Sequence, residues 1–295
     1  MAEHTPMSSP AAEPLIRNIS DTALWVAVYR ARETERPDAL FRDPYARKLA
    51  GERGEQIASS MQSNKASPEW PYVARTVRFD QIIVDHIKQG GDMVINLAAG
   101  LDTRPYWMEL PPGLRWVEVD LPAMIDYKEE ILRGERPHCV LERVRLDLAD
   151  VAGRQSLFRR LGSEAKSALV VTEGLLVYLT RDEVMALGRD LAAQPSFRSW
   201  AIDLCSPGLL KMLQKNLGSA LDPAGSPLKF GPVEGPDFFT VSGWKAVEVY
   251  SMLKTAAKIK RLPFGFLRLL ALLPDGDGRR QGSRPWGGVC RLTRS

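Results

Sequence analysis

The chain has 295 residues, of which 44% are hydrophobic and 26% are charged. This composition is typical of a soluble globular protein, and the length allows one large α/β domain or two small ones. The formal net charge is +4, but the 40 basic and 36 acidic residues are interleaved, with only short basic runs such as residues 258–261. The pattern therefore excludes a concentrated basic stripe of the kind that binds nucleic acids.

The cysteines and histidines show no disulfide or metal-site pattern. Cys139, Cys205 and Cys290 lie far apart in apolar, strand-like contexts without a CxxC pair, which predicts buried thiols in a reducing compartment. The three histidines have neither metal-ligand spacing nor a partner cysteine, so no metal site is predicted. We therefore expect a cytoplasmic protein.

Two segments bear on secretion and membranes. Residues 1–18 lack a positive start followed by an apolar run, which predicts a disordered leader rather than a signal peptide. The apolar segment 264–273 is about half as long as a membrane span and contains Arg268, which predicts a buried or docking helix. The sequence thus predicts no membrane partner.

The first part of the chain is predicted to be helical. From Asp21 to Arg32 the apolar residues recur at helical spacing. Further helices are predicted from near Pro44 and from about Tyr72 to Lys88, where two glycines follow. These helices would form an extension over residues 19–90.

Beyond residue 90, short apolar runs alternate with helical stretches. Such alternation predicts βαβ units in a mostly parallel sheet with helices on both faces. The strands predicted within this core (91–205) are 93–98, 115–122, 139–148, 168–179 and 199–205. In sheets of this class, ligands bind outside the carboxyl ends of the strands.

The alternation breaks after Cys205. Residues 206–243 are rich in proline and glycine, and a long insertion of this kind predicts a lid or a substrate wall. Two more strands are predicted at 244–251 and 287–294. We therefore expect one α/β domain over residues 1–295, with a seven-stranded sheet, the helical extension and a late lid-like insertion.

The stretch NLAAGLDTRPYW (96–107) follows the first predicted strand and enters a helix-like pattern. A dinucleotide-binding turn places glycines at three positions, for the tight turn, the approach to the pyrophosphate and helix packing. The corresponding residues here are Ala98, Gly100 and Thr103, so only the middle position matches. The turn alone does not identify its ligand.

The strand ends supply the missing information. Asp120 closes the second predicted strand, twenty residues after Gly100, where a carboxylate can accept hydrogen bonds from the ribose of NAD or of an adenosyl cofactor. With Asp102, Asp147 and Glu173, four carboxylates at or near strand ends would repel a pyrophosphate. They favour S-adenosylmethionine, which carries a sulfonium, an ammonium and only one carboxylate.

Several separated motifs together carry a family resemblance. The stretches NLAAGLDTRPYW, VEVDLP (117–122), LDL (146–148) and VTEGLLVYL (171–179), in this order and spacing, resemble the leucine carboxyl methyltransferase-like family. The helical extension also resembles that of the family. The resemblance implies a class I methyltransferase fold, Rossmann-like, and a bacterial S-adenosylmethionine-dependent O-methyltransferase of secondary metabolism, linked to polyketides and other small molecules.

The resemblance also implies a set of cofactor-binding residues, namely Arg75, Asn96, Ala98, Gly100, Asp120, Leu121, Asp147, Leu148 and Glu173. Arg75 would grip the methionine carboxylate, with Arg78 as the competing candidate. Ala98 and Gly100 would lie against the methionine moiety, and Glu173 near its ammonium group. This sequence departs from the family pattern at two places. It has Ala98 where the family has a glycine, and its first helix lacks the lysine that the protein-methylating branch has there.

On the same resemblance, Asp120 would hold the ribose. Asp147 would accept from the adenine amino group while the Leu148 backbone N–H donates to the ring. Structural roles compete with these assignments: Asp120 could be an exposed strand-end acid, and Asp147 could pair with Arg143 or Arg145. Asp102 could cap the following helix, since a carboxylate is favoured there.

The methyl acceptor is less constrained. Tyr178 could line an acceptor pocket or belong to the core, while Trp70, Trp107 and Trp244 are predicted to serve packing, with one of them able to shape an apolar pocket. We expect methyl transfer to a hydroxyl or carboxylate of a small molecule, and no histidine stands out as a base.

Three alternatives to that function stay open. They are methylation of a protein C-terminal carboxylate, an NAD-dependent oxidoreductase and a catalytically silent cofactor-binding protein. The sequence does not fix the oligomeric state.

Overall fold

The computed structural model describes residues 16, 20–63, 68–222, 224–263, 265–274 and 278–294. The predicted leader lies outside these residues except for Ile16, which is buried. Three helices precede the sheet, as the apolar periodicity predicted: α1 (Asp21–Thr34), α2 (Ala46–Ser63) and α3 (Trp70–Lys88). Helices α1 and α2 pack through fully buried side chains such as Val28, Leu49 and Ile57, in an apolar cluster that also includes Leu101 and Met124 of the α/β core.

The sheet has seven strands: β1 (Met93–Leu97), β2 (Arg115–Asp120), β3 (Val140–Arg145), β4 (Ala168–Thr172), β5 (Phe197–Cys205), β6 (Trp244–Ser251) and β7 (Gly287–Arg294). Their order is β3-β2-β1-β4-β5-β7-β6. The first five pair in parallel, and β7 runs antiparallel to both of its neighbours. The predicted seven-stranded, mostly parallel α/β sheet is confirmed.

Helices connect the strands and cover both faces of the sheet: α4 (Arg104–Trp107), α5 (Pro122–Ile131), α6 (Val151–Glu164), α7 (Arg181–Ala192), α8 (Pro207–Leu221), α9 (Met252–Lys258) and α10 (Phe266–Leu270). In β1, Met93, Ile95 and Leu97 join one apolar cluster while Val94 joins another. Because successive strand residues point to opposite faces, this division shows that β1 is buried on both sides.

The strand order reverses at β1, which lies between β2 and β4. Asn96 near the end of β1 is in register with Glu118 of β2 and Val171 of β4, so the loops that follow these strands leave the sheet at one edge. In doubly wound sheets the crevice at such a reversal is where ligands bind. The topology therefore brings the residues after β1, β2 and β4 together.

The observed strands β1 to β4 end before the predicted ones, and the difference is largest for two of them. The prediction over 139–148 ends at Arg145, and the one over 168–179 ends at Thr172, followed by a 3₁₀ turn at Leu176–Tyr178. Gly174 has φ +74°, a left-handed conformation that takes the chain out of the sheet, so the apolar residues after it line a loop. An apolar run alone does not reveal this break.

The predicted insertion at 206–243 contains more regular structure than its proline and glycine content suggested. Helix α8 occupies its first half, with Pro207 at the first helical position and Ser206 as N-cap, accepting a hydrogen bond from the Leu209 N–H at 3.1 Å. A 3₁₀ helix (Gly235–Ser242) closes the segment. Proline is favourable at a helix start, so its presence here does not indicate irregular structure.

The segment around α10 is not buried. Of the two predictions for residues 264–273, a buried helix or a docking helix, the buried helix is therefore wrong. Phe266 is 69% exposed and Leu272 is 80% exposed, although Leu267 and Leu270 face the cavity described below. Within the described residues, no helix combines the length and the apolar character needed to cross a bilayer. The three cysteines are buried and free, as predicted, and burial raises the pKa of each thiol to about 12.

Candidate active site

A cavity of about 1450 Å³ opens at the carboxyl edge of the parallel strands. One part is lined by loops that follow β1 to β5, and the other by apolar side chains of α8 and α10 with the segment 281–286. The lining includes every cofactor-binding residue predicted from the sequence, together with Tyr178. The fold therefore brings the predicted residues around one space.

The turn after β1 runs along the cavity in a left-handed conformation. Ala98 has φ +54° and Gly100 has φ +50°. Glycine adopts such angles freely, but alanine is strained there because its Cβ crowds the following carbonyl. The departure from the family pattern at Ala98 thus occurs at a position whose backbone favours glycine.

Asp120 connects this turn to the end of β2. Its Oδ2 accepts a hydrogen bond from the Gly100 N–H at 2.6 Å, and its Oδ1 accepts one from the Leu121 N–H at 2.7 Å. Burial raises the pKa of Asp120, while the two backbone donors oppose that shift. The carboxylate is therefore held rigidly at the strand end and is not the exposed acid of the alternative reading.

Asn96 and Asp102 lie on either side of the same turn. The Asn96 amide donates to Asp102 Oδ2 at 2.8 Å, and the Arg104 backbone N–H donates to Asp102 Oδ1 at 2.9 Å. Asp102 therefore stabilises the start of α4, which is the structural role considered for it.

Arg104 joins three carboxylates beneath the cavity. Its guanidinium lies 2.6 Å from Asp80, 2.8 Å from Asp102 and 2.9 Å from Glu173. Burial works against its charge, but the three carboxylates prevail and raise its pKa well above the ordinary value. Arg104 was not among the predicted site residues, although it lies inside the NLAAGLDTRPYW stretch and is the first residue of α4.

Arg75 of α3 joins the ends of β4 and β5. Its Nε donates to Glu173 at 3.1 Å and its Nη1 donates to Asp203 at 3.1 Å. Asp203 also accepts from the Gly174 N–H at 2.7 Å, and a Cβ on Gly174 would lie 3.2 Å from Arg75 Nη1. Burial opposes the charge of Arg75, yet Asp203 and Glu173 raise its pKa above the ordinary value.

Asp203 was also missed, and its signal was present. It is the acidic residue near the end of the apolar run SWAIDLC, the same pattern that identified Glu173 after β4. The competing arginine, Arg78, donates instead to Thr255 at 2.9 Å and lies 4.3 Å from the ring centre of Tyr250. The structure therefore places Arg75 at the cavity and Arg78 outside its lining.

Asp147 lies two residues beyond β3 and is exposed at the cavity wall. Its carboxylate accepts from the Ala149 N–H at 2.9 Å. The ion pairs considered for it do not form, since Arg143 pairs with Glu118 at 2.9 Å and Arg145 pairs with Asp126 at 2.8 Å. The neighbouring Leu148 carbonyl accepts from Arg154 at 2.7 Å, which fixes the backbone of this loop.

Tyr178 lines the cavity, and its phenol lies within electrostatic range of Tyr72, Arg75 and Asp203. Burial raises the pKa of its phenol to about 12. Trp70 and Trp107 also line the cavity, whereas Trp244 packs on Trp200 and donates to the Gly188 carbonyl at 2.9 Å. Packing is therefore the role of Trp244, and the other two tryptophans border the site.

The part of the cavity bordered by α8 and α10 has a wall that is almost entirely apolar. Helix α8 contributes Leu209, Met212, Leu213 and Leu217, and α10 contributes Leu267 and Leu270. Both helices come after Cys205, α8 within the predicted lid or substrate wall and α10 within the segment predicted as a buried or docking helix. We call this region the apolar compartment and the strand-end region the charged compartment.

Solved structures with this fold confirm the architecture. A duf574 family protein from Streptomyces avermitilis superposes with a TM-score of 0.59 at 12% identity, covering 92% of this chain and 96% of that one. A Thermobifida fusca protein described as a methyltransferase gives 0.58 at 14% identity, covering 99% and 100%. Identities this low establish the shared fold alone.

Sequence comparison establishes the family. A Streptomyces coelicolor protein, named for S-adenosyl-L-methionine-dependent methyltransferase activity, is 32% identical over 241 residues, covering 76% of this chain and 82% of its own. A Streptomyces avermitilis protein with the same kind of name is 31% identical over 238 residues. The profile of the leucine carboxyl methyltransferase family matches residues 23–192, more than half of the chain. The chain therefore belongs to the leucine carboxyl methyltransferase family and is an S-adenosyl-L-methionine-dependent methyltransferase.

Proposed function

We propose that the protein methylates an oxygen atom of a small apolar molecule, such as a polyketide-like natural product. The main observation that supports this proposal is a cavity in which a charged compartment adjoins an apolar one. Its volume of about 1450 Å³ exceeds the roughly 300–1,000 Å³ usual for a single small-molecule site. Cofactor and acceptor therefore have room to bind side by side.

The charge of the first compartment suits the cofactor. Arg75 and Arg104 supply two positive charges, while Asp80, Asp102, Glu173 and Asp203 supply four negative ones. The group carries a formal charge of −2 and complements a ligand with a sulfonium, an ammonium and one carboxylate. A pyrophosphate would be repelled, which together with the family assignment argues against the oxidoreductase alternative.

The hydrogen-bonding capacity also fits. Two N–H groups of Arg75 are used by Glu173 and Asp203, so three of its five remain for the methionine carboxylate. Each oxygen of Asp120 accepts one backbone N–H and keeps a lone pair for a ribose hydroxyl. We assign Asp203 as a positioning residue, because it holds Arg75 and the Gly174 backbone together.

The remaining assignments follow the walls of the cavity. We place Ala98 and Gly100 against the methionine moiety, with Asn96 beneath them, and Leu121 beside the ribose. Asp147 and the Leu148 N–H would bind the adenine. These placements would leave Tyr178 on the acceptor side.

When bound, the cofactor supplies an electrophilic methyl group on its sulfonium. The protein's contribution is to hold the acceptor oxygen in line and to exclude water, which accounts for much of the acceleration in such transfers. Tyr178 stays protonated at neutral pH because its pKa is about 12, so it can donate a hydrogen bond but does not act as a base. A carboxylate acceptor needs no base.

A second candidate is methylation of a protein C-terminal carboxylate, which the family name suggests. The apolar walls contributed by α8 and α10 favour the small-molecule acceptor. A cytoplasmic location is part of the proposal and is supported by the three free, buried cysteines.

Transfer of a labelled methyl group distinguishes the two acceptors. The protein is incubated with the cofactor and either a panel of apolar phenols and carboxylic acids or peptides that end in a free leucine carboxylate. We expect label in the small-molecule panel. Label confined to the peptides would reverse the choice of acceptor.

Calorimetry with S-adenosylhomocysteine tests the site assignments. Asp120→Asn removes a charge-assisted contact to the ribose and is expected to weaken binding by about 30-fold. Asp126→Asn is the matched control, because this carboxylate of α5 is exposed, pairs with Arg145 and does not line the cavity. Equal affinities of both variants would contradict the assignment of Asp120, and tight binding of NADH instead would contradict the cofactor.

A further inference from the structure

The cavity is bordered by five arginines, and four of them are already neutralised. Arg75 and Arg104 belong to the charged compartment, Arg30 lies 2.9 Å from Asp43, and Arg154 pairs with Asp190. Among the described lining residues, the remaining arginine, Arg284, forms no ion pair, and no lysine is present. Because Arg75 is assigned to the cofactor carboxylate, Arg284 is the lining cation that stays available to a second ligand among the described residues.

The backbone that carries Arg284 is fixed at the acceptor side of the sheet. Ser206, the first residue after β5, donates through Oγ to the Arg284 carbonyl at 2.6 Å and accepts from the Trp286 N–H at 3.0 Å. Gly208 permits this contact, since a Cβ there would lie 2.1 Å from the Ser283 carbonyl oxygen. Arg284 thus projects from a segment held against the first turn of α8.

The surroundings of Arg284 are apolar. The side chains of Leu209, Pro285 and Trp286 line the cavity beside it, and Leu270 and Leu273 of the α10 region line it as well. Arg284 itself is exposed, so it lies at the rim rather than in the interior. A cation at the rim of an apolar compartment suits a molecule whose apolar body enters the cavity while an anionic group stays outside.

We propose that Arg284 binds a carboxylate of the methyl acceptor and thereby sets the acceptor's orientation. The acceptor is an elongated apolar molecule with a carboxylate at the rim end and the methyl-accepting oxygen at the inner end. This inference rests on the proposed function, because it assigns the apolar compartment to the acceptor. It makes Arg284 a specificity-determining residue and gives it no part in the transfer step.

Octanoate and octan-1-ol are suitable probes, because they share an apolar chain and differ in charge. Their affinities are measured by calorimetry at pH 8 on protein saturated with S-adenosylhomocysteine. The wild type is expected to prefer octanoate by about fivefold, the scale of an exposed ion pair, and added salt should reduce that preference. Arg284→Gln is expected to remove the preference, and Arg284→Lys to keep part of it.

Arg280→Gln is the matched control, since Arg280 is exposed four residues earlier and does not line the cavity. This variant should keep the full preference. Equal affinity of the wild type for the two probes, or the same loss in both glutamine variants, would overturn the inference. Failure of S-adenosylhomocysteine to bind the wild type would instead overturn the proposed function, so the two failures are distinguishable.

Discussion

The charged and apolar compartments share one cavity but are built in different ways. In the charged compartment, side chains at strand ends are fixed by fully specified partners, such as Asp120 between two backbone N–H groups and Arg104 among three carboxylates. In the apolar compartment, the wall consists of leucine and methionine side chains on two helices. The first compartment imposes a definite pattern of charges, and the second imposes little beyond shape and apolarity.

The difference follows from how each wall is attached to the sheet. Parallel strands end at one edge, so residues one or two positions beyond them are placed by the sheet itself. Helix α8 follows β5 directly after Ser206, and α10 comes later in the chain than α9, so their side chains meet the cavity only through tertiary packing. Changes in the charged compartment should therefore cost more than changes in the apolar one.

The largest effect is expected for Arg75→Gln. The substitution leaves Glu173 and Asp203 as neighbouring carboxylates that are each 14% exposed, without the cation between them. Removal of one partner from a buried ion pair costs about 3–5 kcal/mol. Denaturant unfolding should show a loss of about 4 kcal/mol in the free energy of unfolding, because Arg75 bridges two strand ends.

Arg78→Gln is the matched control on the same helix. Arg78 contacts Thr255 and the ring of Tyr250, outside the cavity lining. It should cost about 1 kcal/mol and leave the affinity for S-adenosylhomocysteine unchanged. Similar losses of unfolding free energy in the two variants would show that Arg75 in the charged compartment stabilises the fold no more than Arg78 does outside the cavity.

The next effect concerns pH and Asp80. Burial raises the pKa of Asp80 from 3.8 to about 6, although Arg104 opposes the shift. Between these two values the folded protein binds more protons than the unfolded chain, so the contribution of Asp80 to stability falls as the pH rises and is lost above about 6. The full loss corresponds to about 3 kcal/mol.

Asp80→Asn cannot ionise and should escape this loss. Its free energy of unfolding, relative to the wild type, should therefore increase from pH 4.5 to pH 7.5. Asp85→Asn, which removes a carboxylate from the same helix, is the control for the change in net charge. A difference between Asp80→Asn and wild type that stays constant across this window would show that the folded protein does not hold the proton on Asp80.

The charged compartment was largely predictable from the sequence, and the apolar one was not. Apolar runs located all seven strands, and acids beyond the runs pointed to Asp120 and Glu173, because strand topology gathers such residues whatever the loops do. Asp203 carried the same signal but was enclosed by apolar neighbours in its strand. Arg104 was missed because two of its three carboxylate partners, Asp80 and Glu173, are distant in sequence, and no local pattern predicts those contacts.

The apolar compartment was hard to predict because tertiary packing, and not local sequence, determines its structure. The proline at position 207 permits a helix start as readily as a loop, and only the Ser206 cap and the packing of α8 decide between them. For α10, an apolar sequence predicted burial, but one face lines a cavity and the other is exposed. Whether an apolar residue faces a core, a cavity or solvent is set by tertiary contacts.

A smaller effect is expected for Leu213→Trp in the apolar compartment. Leu213 is a half-buried lining residue of α8, and the larger side chain would fill space that an acceptor needs. Binding of octan-1-ol to the protein saturated with S-adenosylhomocysteine should weaken by about tenfold, since overpacking a site costs on the order of 1–3 kcal/mol. The affinity for S-adenosylhomocysteine itself should stay unchanged, because the charged compartment is built separately.

Lys211→Trp places the same side chain on an exposed position of α8 that does not line the cavity. It should affect neither ligand. If Leu213→Trp weakened the binding of both ligands equally, the two compartments would act as one site and would not be built independently.

The smallest effect is expected for Ala98→Gly, where two opposing terms nearly cancel. A left-handed conformation at φ +54° costs alanine about 1 kcal/mol, and glycine removes that cost. Glycine also gives the unfolded chain more freedom, which lowers stability by roughly 0.5–1 kcal/mol. The free energy of unfolding should thus change by less than about 0.5 kcal/mol.

Ala99→Gly is the matched control, because Ala99 is buried and has no positive φ, so glycine there brings only losses of about 1–2 kcal/mol. Equal destabilisation of the two variants in denaturant would mean that the Ala98 methyl group contributes packing that offsets its strain, and that alanine is the better residue for this turn.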